Sequence, residues 1–321
     1  KVVSDLTGNR VRSLLVIASI TVGLFAVGMI ITIRVVLGVD MIASYRAVNP
    51  ANIQIRSDAF SQDFVKRVKN LRGVADAYGV WTAEMRLQTA PNVLVAIHVQ
   101  AIPDAESVDI NRIEVVSGKW PPGEREIVVD QNKLTDVKAR LGEEITLKLP
   151  SGKLRQLKLV GVIHDQTIGS ASGGGGFFLA PIQGYINYDT LEWLEVDPTL
   201  NQLFVTVSEN SDDQGHIEDM ARRIVTEFEK NEMTTSGSVA KRSSDHPNIT
   251  YLHAIGGVLV LLGFLVVFLS AFLITNTLGA LLNQQTTQIG VMKTVGANRG
   301  QIVVIYMVLI LVYSLIALAI S

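Results

Sequence analysis

Gln284-Gln-Thr-Thr-Gln-Ile-Gly-Val-Met-Lys-Thr-Val-Gly-Ala-Asn-Arg-Gly-Gln301 is a short polar stretch caught between two long apolar runs. It is too short to be a domain, yet it is patterned. Ile289, Met292 and Gly296 fall on one face of a helix, with Val291 and Val295 beside them. Gln288 and Gly290 complete the turn they share. Lys293 stands in the last turn, where a cation suits the helix dipole. Gly296, followed by Ala297, is placed to end that helix. Asn298, ahead of Arg299 and three residues before Gln301, is placed to start the next one. A helix with an apolar face, held between two apolar runs, reads as a docking element.

The flanking runs, residues 254–274 and 302–320, and a further one at 14–37, are each about as long as the roughly 20 residues a helix needs to cross a bilayer. The first run is too long for a cleaved signal peptide. Lys1, Arg10 and Arg12 precede it, and Lys293 and Arg299 lie between the other two, so the positive-inside rule places both segments in the cytoplasm. The expected organisation is a cytoplasmic amphipathic helix at 1–12, a first span at 13–37, an extracytoplasmic domain at 38–250, a second span at 252–277, a cytoplasmic coupling loop at 278–300 and a third span at 301–321. The chain begins without Met and ends as the third span reaches the far side, so further spans are expected beyond it. Ser19 and Gly23, with small-xxx-small spacing, and Gly256, Gly257 and Gly263 are positions where another helix can approach closely.

The net charge of −2 gives no reason to expect a nucleic-acid partner. The chain has no cysteine, so its exterior domain is held by its core alone. In that domain, residues 52–56 alternate as a strand, and Ser61 is placed as the N-cap of a helix carrying Phe64, Val65, Val68 and Leu71. Residues 93–102 return as a strand. A matching unit follows at 203–207, with a helical stripe of Ile217, Met220, Ala221, Ile224, Val225 and Phe228. These read as two halves, 52–109 and 200–232, of a split ferredoxin-like sandwich, separated by a small β subdomain at 110–195. Within it, Pro150-Ser151-Gly152 has the chemistry of a hairpin turn. The expected fold class is a helical membrane protein with an α+β extracytoplasmic domain.

Catalytic signals are sparse. Gly169-Ser-Ala-Ser-Gly-Gly-Gly-Gly176 lacks the Lys and Ser or Thr that a phosphate loop carries after its last glycine. It reads as a surface loop, with ligand binding as the alternative. No two of His98, His164, His216, His246 and His253 have the spacing of a helical zinc pair. Only His164-Asp165 places a second chemical group alongside. At the outer end of the first span, Arg34, Asp40 and Arg46 read as interfacial anchors, as do Asp245 and His253 before the second. The other reading is that the helices continue outward as a stalk and these charges pair across it. No metal site and no enzymatic activity are expected.

The order of segments resembles the permease subunits of the MacB/FtsX/LolC group of ABC transporters, the type VII family. Three stretches carry the resemblance: Asp5-Leu-Thr-Gly-Asn-Arg-Val-Arg-Ser-Leu-Leu15; Ser117-Gly-Lys-Trp120 with Glu126-Ile-Val-Val129 and Leu141-Gly-Glu143; and above all residues 288–302. The family loop commonly carries charge where this chain has Gln284, Gln285, Thr286, Thr287 and Gln288. The resemblance implies a bacterial inner-membrane permease that binds no cofactor itself and works with a separate cytoplasmic ATPase, which holds ATP and Mg²⁺. The loop helix would sit in a groove of that ATPase. A second permease copy, a paralogue or a second half of the same protein would pair through the first two spans. Lipid and an extracytoplasmic protein are further implied partners. The implied work is export, extraction or mechanotransmission. The alternatives are an FtsX-like regulator of cell-wall hydrolases without transport and, from another class, a membrane-anchored sensor or binding protein.

Overall fold

The computed structural model describes residues 10–103, 108–168, 181–284 and 286–321. The glycine stretch at 169–176 and the residues ahead of Arg10 lie outside the described residues. In chain order, α1 (Arg10–Val35) passes through a π-helical turn (Val36–Asp40) into α2 (Met41–Ala47). Next come β1 (Ile53–Phe60), α3 (Gln62–Lys69), β2 (Val74–Ala90), β3 (Val93–Ile102), β4 (Glu114–Gly118), β5 (Glu126–Asp130) and the short α4 (Leu134–Val137). They are followed by β6 (Glu144–Lys148), β7 (Leu154–His164), β8 (Ile182–Asn187), α5 (Thr190–Trp193), β9 (Leu200–Val207), α6 (Gln214–Lys230) and β10 (Thr235–Ala240). Three helices close the chain: α7 (Ile249–Gln284), α8 (Thr286–Thr294) and α9 (Arg299–Ile320). The chain divides into two compact units, Met41–Thr250 and the helical remainder.

In the larger unit, β10, β1, β9 and β2 lie side by side, each antiparallel to its neighbour. The β1–α3–β2 and β9–α6–β10 segments therefore interleave. Both helices start where the side chain at the cap meets an orphan amide: Ser61 accepts from Phe64 N at 3.4 Å, and Asp213 from Gly215 N at 3.0 Å. Phe64, Val65 and Val68 of α3, and Ile217, Met220, Ile224 and Phe228 of α6, are buried against Ile53, Ile55, Leu203 and Val205 of the sheet. Phe64 and Phe228 meet at 4.4 Å between ring centroids and tie the two helices together.

The strand returning from α3 is Val74–Ala90, not 93–102 as the alternation implied. Its N-terminal half pairs with β9, and from Trp81 on it pairs with β3. The run Gly79-Val80-Trp81-Thr82 is buried at successive positions because the strand passes there from one core to the next. That crossing erases the period-2 signal by which a half-buried strand is recognised.

Beyond the crossing the sheet closes. β3 pairs with β8, β8 with β5, β5 with β7, β7 with β6, and β6 returns to Arg86–Gln88 of β2. The result is a six-stranded barrel filled by Leu87, Ile97, Val99, Ile127, Leu147, Leu157 and Leu159, with Val137 of α4 and Leu191 of α5 packed on the same core. Closure satisfies the strand edges that an open sheet would expose. β4 lies outside the ring on β7. The β-rich part is therefore not confined to 110–195: β2 and β3 supply two of its six strands.

Leu14–Ala47 and Ile249–Asn276, each running into the larger unit at one end, are the two helical stretches long and apolar enough to cross a membrane, among the described residues. α9 adds a shorter apolar stretch, Ile310–Ile320. Val16 of α1 and Ile302 and Tyr313 of α9 form a small buried cluster.

Candidate functional site

The loop helix α8 is bounded by two local devices. At its end Gly296 takes φ +100°, Gly296 N donates to Lys293 O at 3.1 Å and Ala297 N to Met292 O at 2.9 Å. These are the paired bonds of a Schellman stop, which satisfies carbonyls a helix end leaves open. Gln301 then reaches back, its Oε1 accepting from Asn298 N at 3.0 Å, while Gln301 N donates to Asn298 O at 3.0 Å. Arg299 is the first residue of α9. The turn between α8 and α9 is thus fixed by backbone chemistry at both ends.

The structure divides the apolar residues of this helix. Ile289 and Ala297 pack on the cluster of Val16, Ile302 and Tyr313, and Met292 is partly covered. Val291 is 57% exposed and Val295 84%. Gly290 and Lys293 are exposed as well, and Gln288 lies one turn back in the same helix. The apolar surface turned to solvent is therefore Val291 and Val295, whereas Ile289, which shares a sequence-read face with Met292, faces the chain's own helices.

The small residues also separate. A Cβ on Gly23 would stand 3.4 Å from Ser270, and one on Gly263 would run into Ile30, so these two glycines admit α1 against α7. Ser19 is buried and its Oγ donates to Leu15 O at 2.7 Å within its own helix. Gly256 and Gly257 have open space in front of them.

Within the larger unit, α2 meets the rest of the fold at a polar junction, and neither Arg46 nor Asp245 has the other as its partner. Arg46 pairs with Asp212 at 2.5 Å, and Asp245 with Arg242 at 2.9 Å. Tyr45 is buried with its ring edge-on to His246, centroids 5.0 Å apart. Burial and the neighbouring His164 lower the pKa of His246. Asn52, only 2% exposed, shares its amide hydrogens among Ser243 Oγ, Lys241 O and Ser211 O at 2.9, 3.3 and 3.4 Å, and accepts from Val207 N at 3.1 Å. Sequence reading missed Asn52 because its partners lie more than 150 residues away. Among the described residues no group of three or more His, Cys, Asp or Glu is placed to hold a metal ion.

Two family models match the chain. The model described as MacB-like periplasmic core domain matches residues 13–223, and that described as FtsX-like permease C-terminal matches 260–321. No curated protein matches. Among solved structures, the extracellular domain of the ABC-type transporter YknZ from Gram-positive bacteria is 12% identical, with a TM-score of 0.38 over 57% of this chain and 100% of that one. The periplasmic region of MacB from Actinobacillus actinomycetemcomitans is 9% identical, with a TM-score of 0.37 over 59% and 90%. A permease domain from Porphyromonas gingivalis is 12% identical, with a TM-score of 0.32 over 65% and 97%. The periplasmic-core model alone takes in well over half of the chain, from α1 through the larger unit as far as residue 223, and the second takes in most of α7 with α8 and α9; on that ground the chain belongs to the MacB/FtsX-like family of ABC transporter permeases.

Proposed function

We propose that this chain is the motion-transmitting permease of a type VII ABC transporter, with α8 as the element that docks on a cytoplasmic ATPase. ATP and Mg²⁺ would be held by that ATPase, not by this chain. The observation that carries the reading is α8 itself: a helix stopped by Gly296, braced by Ile289 on its own unit, and presenting Val291, Val295 and Lys293 outward. Burying two valines against a partner is worth about 1.5–3 kcal/mol each when complete, enough to seat a short helix in a groove.

The remaining parts fit one machine in the bacterial inner membrane. α1, α7 and α9 serve as its spans; α9, with 22 residues, is long enough for a third. The larger unit is then extracytoplasmic. Its strand order β10-β1-β9-β2, crossed by α3 and α6, supports the split ferredoxin-like description, with the barrel inserted between β2 and β9. The open glycines Gly256 and Gly257 support pairing of α7 with a second permease copy or a paralogue. Movement of the ATPases would pass along α1 and α7 to the outer unit. The work done there is export, extraction or mechanical signalling; an FtsX-like regulator of wall hydrolases uses the same parts without a transported substrate.

The test is affinity purification of the full-length protein from its native membrane, as wild type, Val291→Asp and Val295→Asp. An ATPase that copurifies with the wild type and is lost from both variants supports the reading. Its retention by both removes α8 from the interface, and its absence from every sample removes the ABC assignment of function.

A further inference from the structure

Beside the barrel, where β2, β3, β8 and β9 meet, lies a cavity of about 220 Å³. Its walls are aromatic. Tyr78 stacks on Phe204 with centroids 5.0 Å apart and planes 19° from parallel, and Trp120 stands edge-on to Tyr185 at 5.9 Å and 77°. The Tyr78 hydroxyl is held by a second lining residue: Asn111 Nδ2 donates to Tyr78 Oη at 3.2 Å, while Asn111 Oδ1 accepts from Ala51 N at 2.8 Å.

The charge inside is negative. Asp165 lines the cavity and is only 8% exposed. Its Oδ1 accepts from Thr167 N at 2.8 Å and Thr167 Oγ1 at 2.6 Å, and its Oδ2 from Tyr185 Oη at 2.5 Å. A carboxylate has about four acceptor positions, so one on Oδ2 is left over. All three donors are neutral, no ion pair to Asp165 is formed among the described residues, and a buried carboxylate without a cation is costly. Asp130 deepens the deficit: it is 1% exposed, and its Oδ2 accepts from Asp165 N at 2.9 Å. Burial raises the Asp130 pKa and the neighbouring Asp165 adds to the rise, opposed by the bonds its carboxylate accepts from the amides of Asp165 and Asn132. Arg112, the cation on the lining, is already paired with Asp109 at 2.6 Å.

We propose that this cavity binds a small organic ammonium ion, its cation against Asp165 and its carbon frame between the faces of Tyr78 and Trp120. Aromatic faces attract cations, most strongly when both are out of water. The volume lies below the roughly 300–1,000 Å³ of pockets for drug-sized ligands, which restricts the ligand to a choline-sized or single-ring amine.

The test is equilibrium dialysis of the full-length protein in nanodiscs with radiolabelled choline and radiolabelled benzylamine. The competitors are the neutral isosteres 3,3-dimethylbutanol and benzyl alcohol. At least one ammonium probe is expected to bind saturably, one per chain, with its neutral isostere at least tenfold weaker. Asp165→Asn and Trp120→Leu should each weaken binding at least tenfold. Trp120→Leu leaves the Asp165 hydrogen bonds in place, so it decides the matter if Asp165→Asn fails to fold. Absence of saturable binding by both probes, equal competition by the neutral isosteres, or unchanged binding in a folded variant would overturn the assignment.

Discussion

Arg46 Nη2 lies 2.5 Å from Asp212 Oδ2, joining α2 to the loop ahead of α6, 166 residues on. Both side chains are about half exposed. Solvent screening limits such a pair to about 0.2–1 kcal/mol. Arg46→Ala and Asp212→Ala are expected to lower stability by less than about 1 kcal/mol each, and the double variant by little more than either. Thermal unfolding of the four proteins measures this. A loss of several kcal/mol from either single change would show that the pair holds the junction.

Asn52 should behave differently. It is buried, and Asn52→Ala would strand Val207 N and Lys241 O, whereas Ser211 O keeps the bond from Ser243 N at 2.9 Å. Leaving a buried polar group unpaired costs about 1–3 kcal/mol, so a total loss of about 2–6 kcal/mol for the two groups is expected in denaturant unfolding. A change below about 1 kcal/mol would mean that water replaces the side chain there.

Glu126 gives a pH dependence with a definite sign. Its carboxylate accepts from Gly123 N at 2.6 Å and Lys119 Nζ at 3.0 Å, pinning the turn that carries Trp120. The amide bond first, and then Lys119 with help from Lys158, hold its pKa below the ordinary 4.5, against a smaller opposing effect of burial. A depressed folded pKa contributes stability that is present above the unfolded value and lost as pH falls through the folded one. Wild type should therefore be more stable than Glu126→Gln near neutrality, with the gap closing as pH is lowered below about 4. Melting curves across this range check it, and a gap that persists in acid would count against the linkage.

In the helical unit the glycines predict a contrast. A Cβ at Gly263 meets Ile30, whose side-chain end can swing, so Gly263→Ala should be mild. Gly263→Leu overfills the contact and is expected to cost about 1–3 kcal/mol. Gly256→Leu meets open space within the chain. Thermal stability of the detergent-solubilised monomer should fall for Gly263→Leu and hold for Gly256→Leu; equal losses would contradict the placement of Gly263.

Local chemistry was legible in the sequence, and crossings were not. Ser61, Gly296 and the Asn298–Gln301 pair announce helix ends because the groups they satisfy lie within a few residues. The stripe from Ile217 to Phe228 and the hairpin joining β6 to β7 follow from period and turn chemistry for the same reason. β2 escaped because it serves two cores: the crossing at Gly79–Thr82 breaks its alternation and leaves only the short run Glu84–Leu87 in period. Barrel closure escaped because Arg86–Gln88 meets Thr146–Lys148 about sixty residues away, and nothing local marks that meeting. At the loop helix, periodicity identified an apolar set but could not say which members the chain keeps for itself. Ile289 turned inward because Val16, Ile302 and Tyr313 are there to receive it.

The central claim, that α8 is the ATPase contact, is tested most directly by site-specific crosslinking, since the chain has no cysteine of its own. A photo-crosslinker attached through Val295→Cys in the full-length protein, irradiated in native membranes, should yield an adduct with an ATPase. The same probe attached through Val93→Cys, exposed on the β2–β3 hairpin, should not. An ATPase adduct from Val93→Cys but none from Val295→Cys or Val291→Cys would place the contact elsewhere and contradict the account.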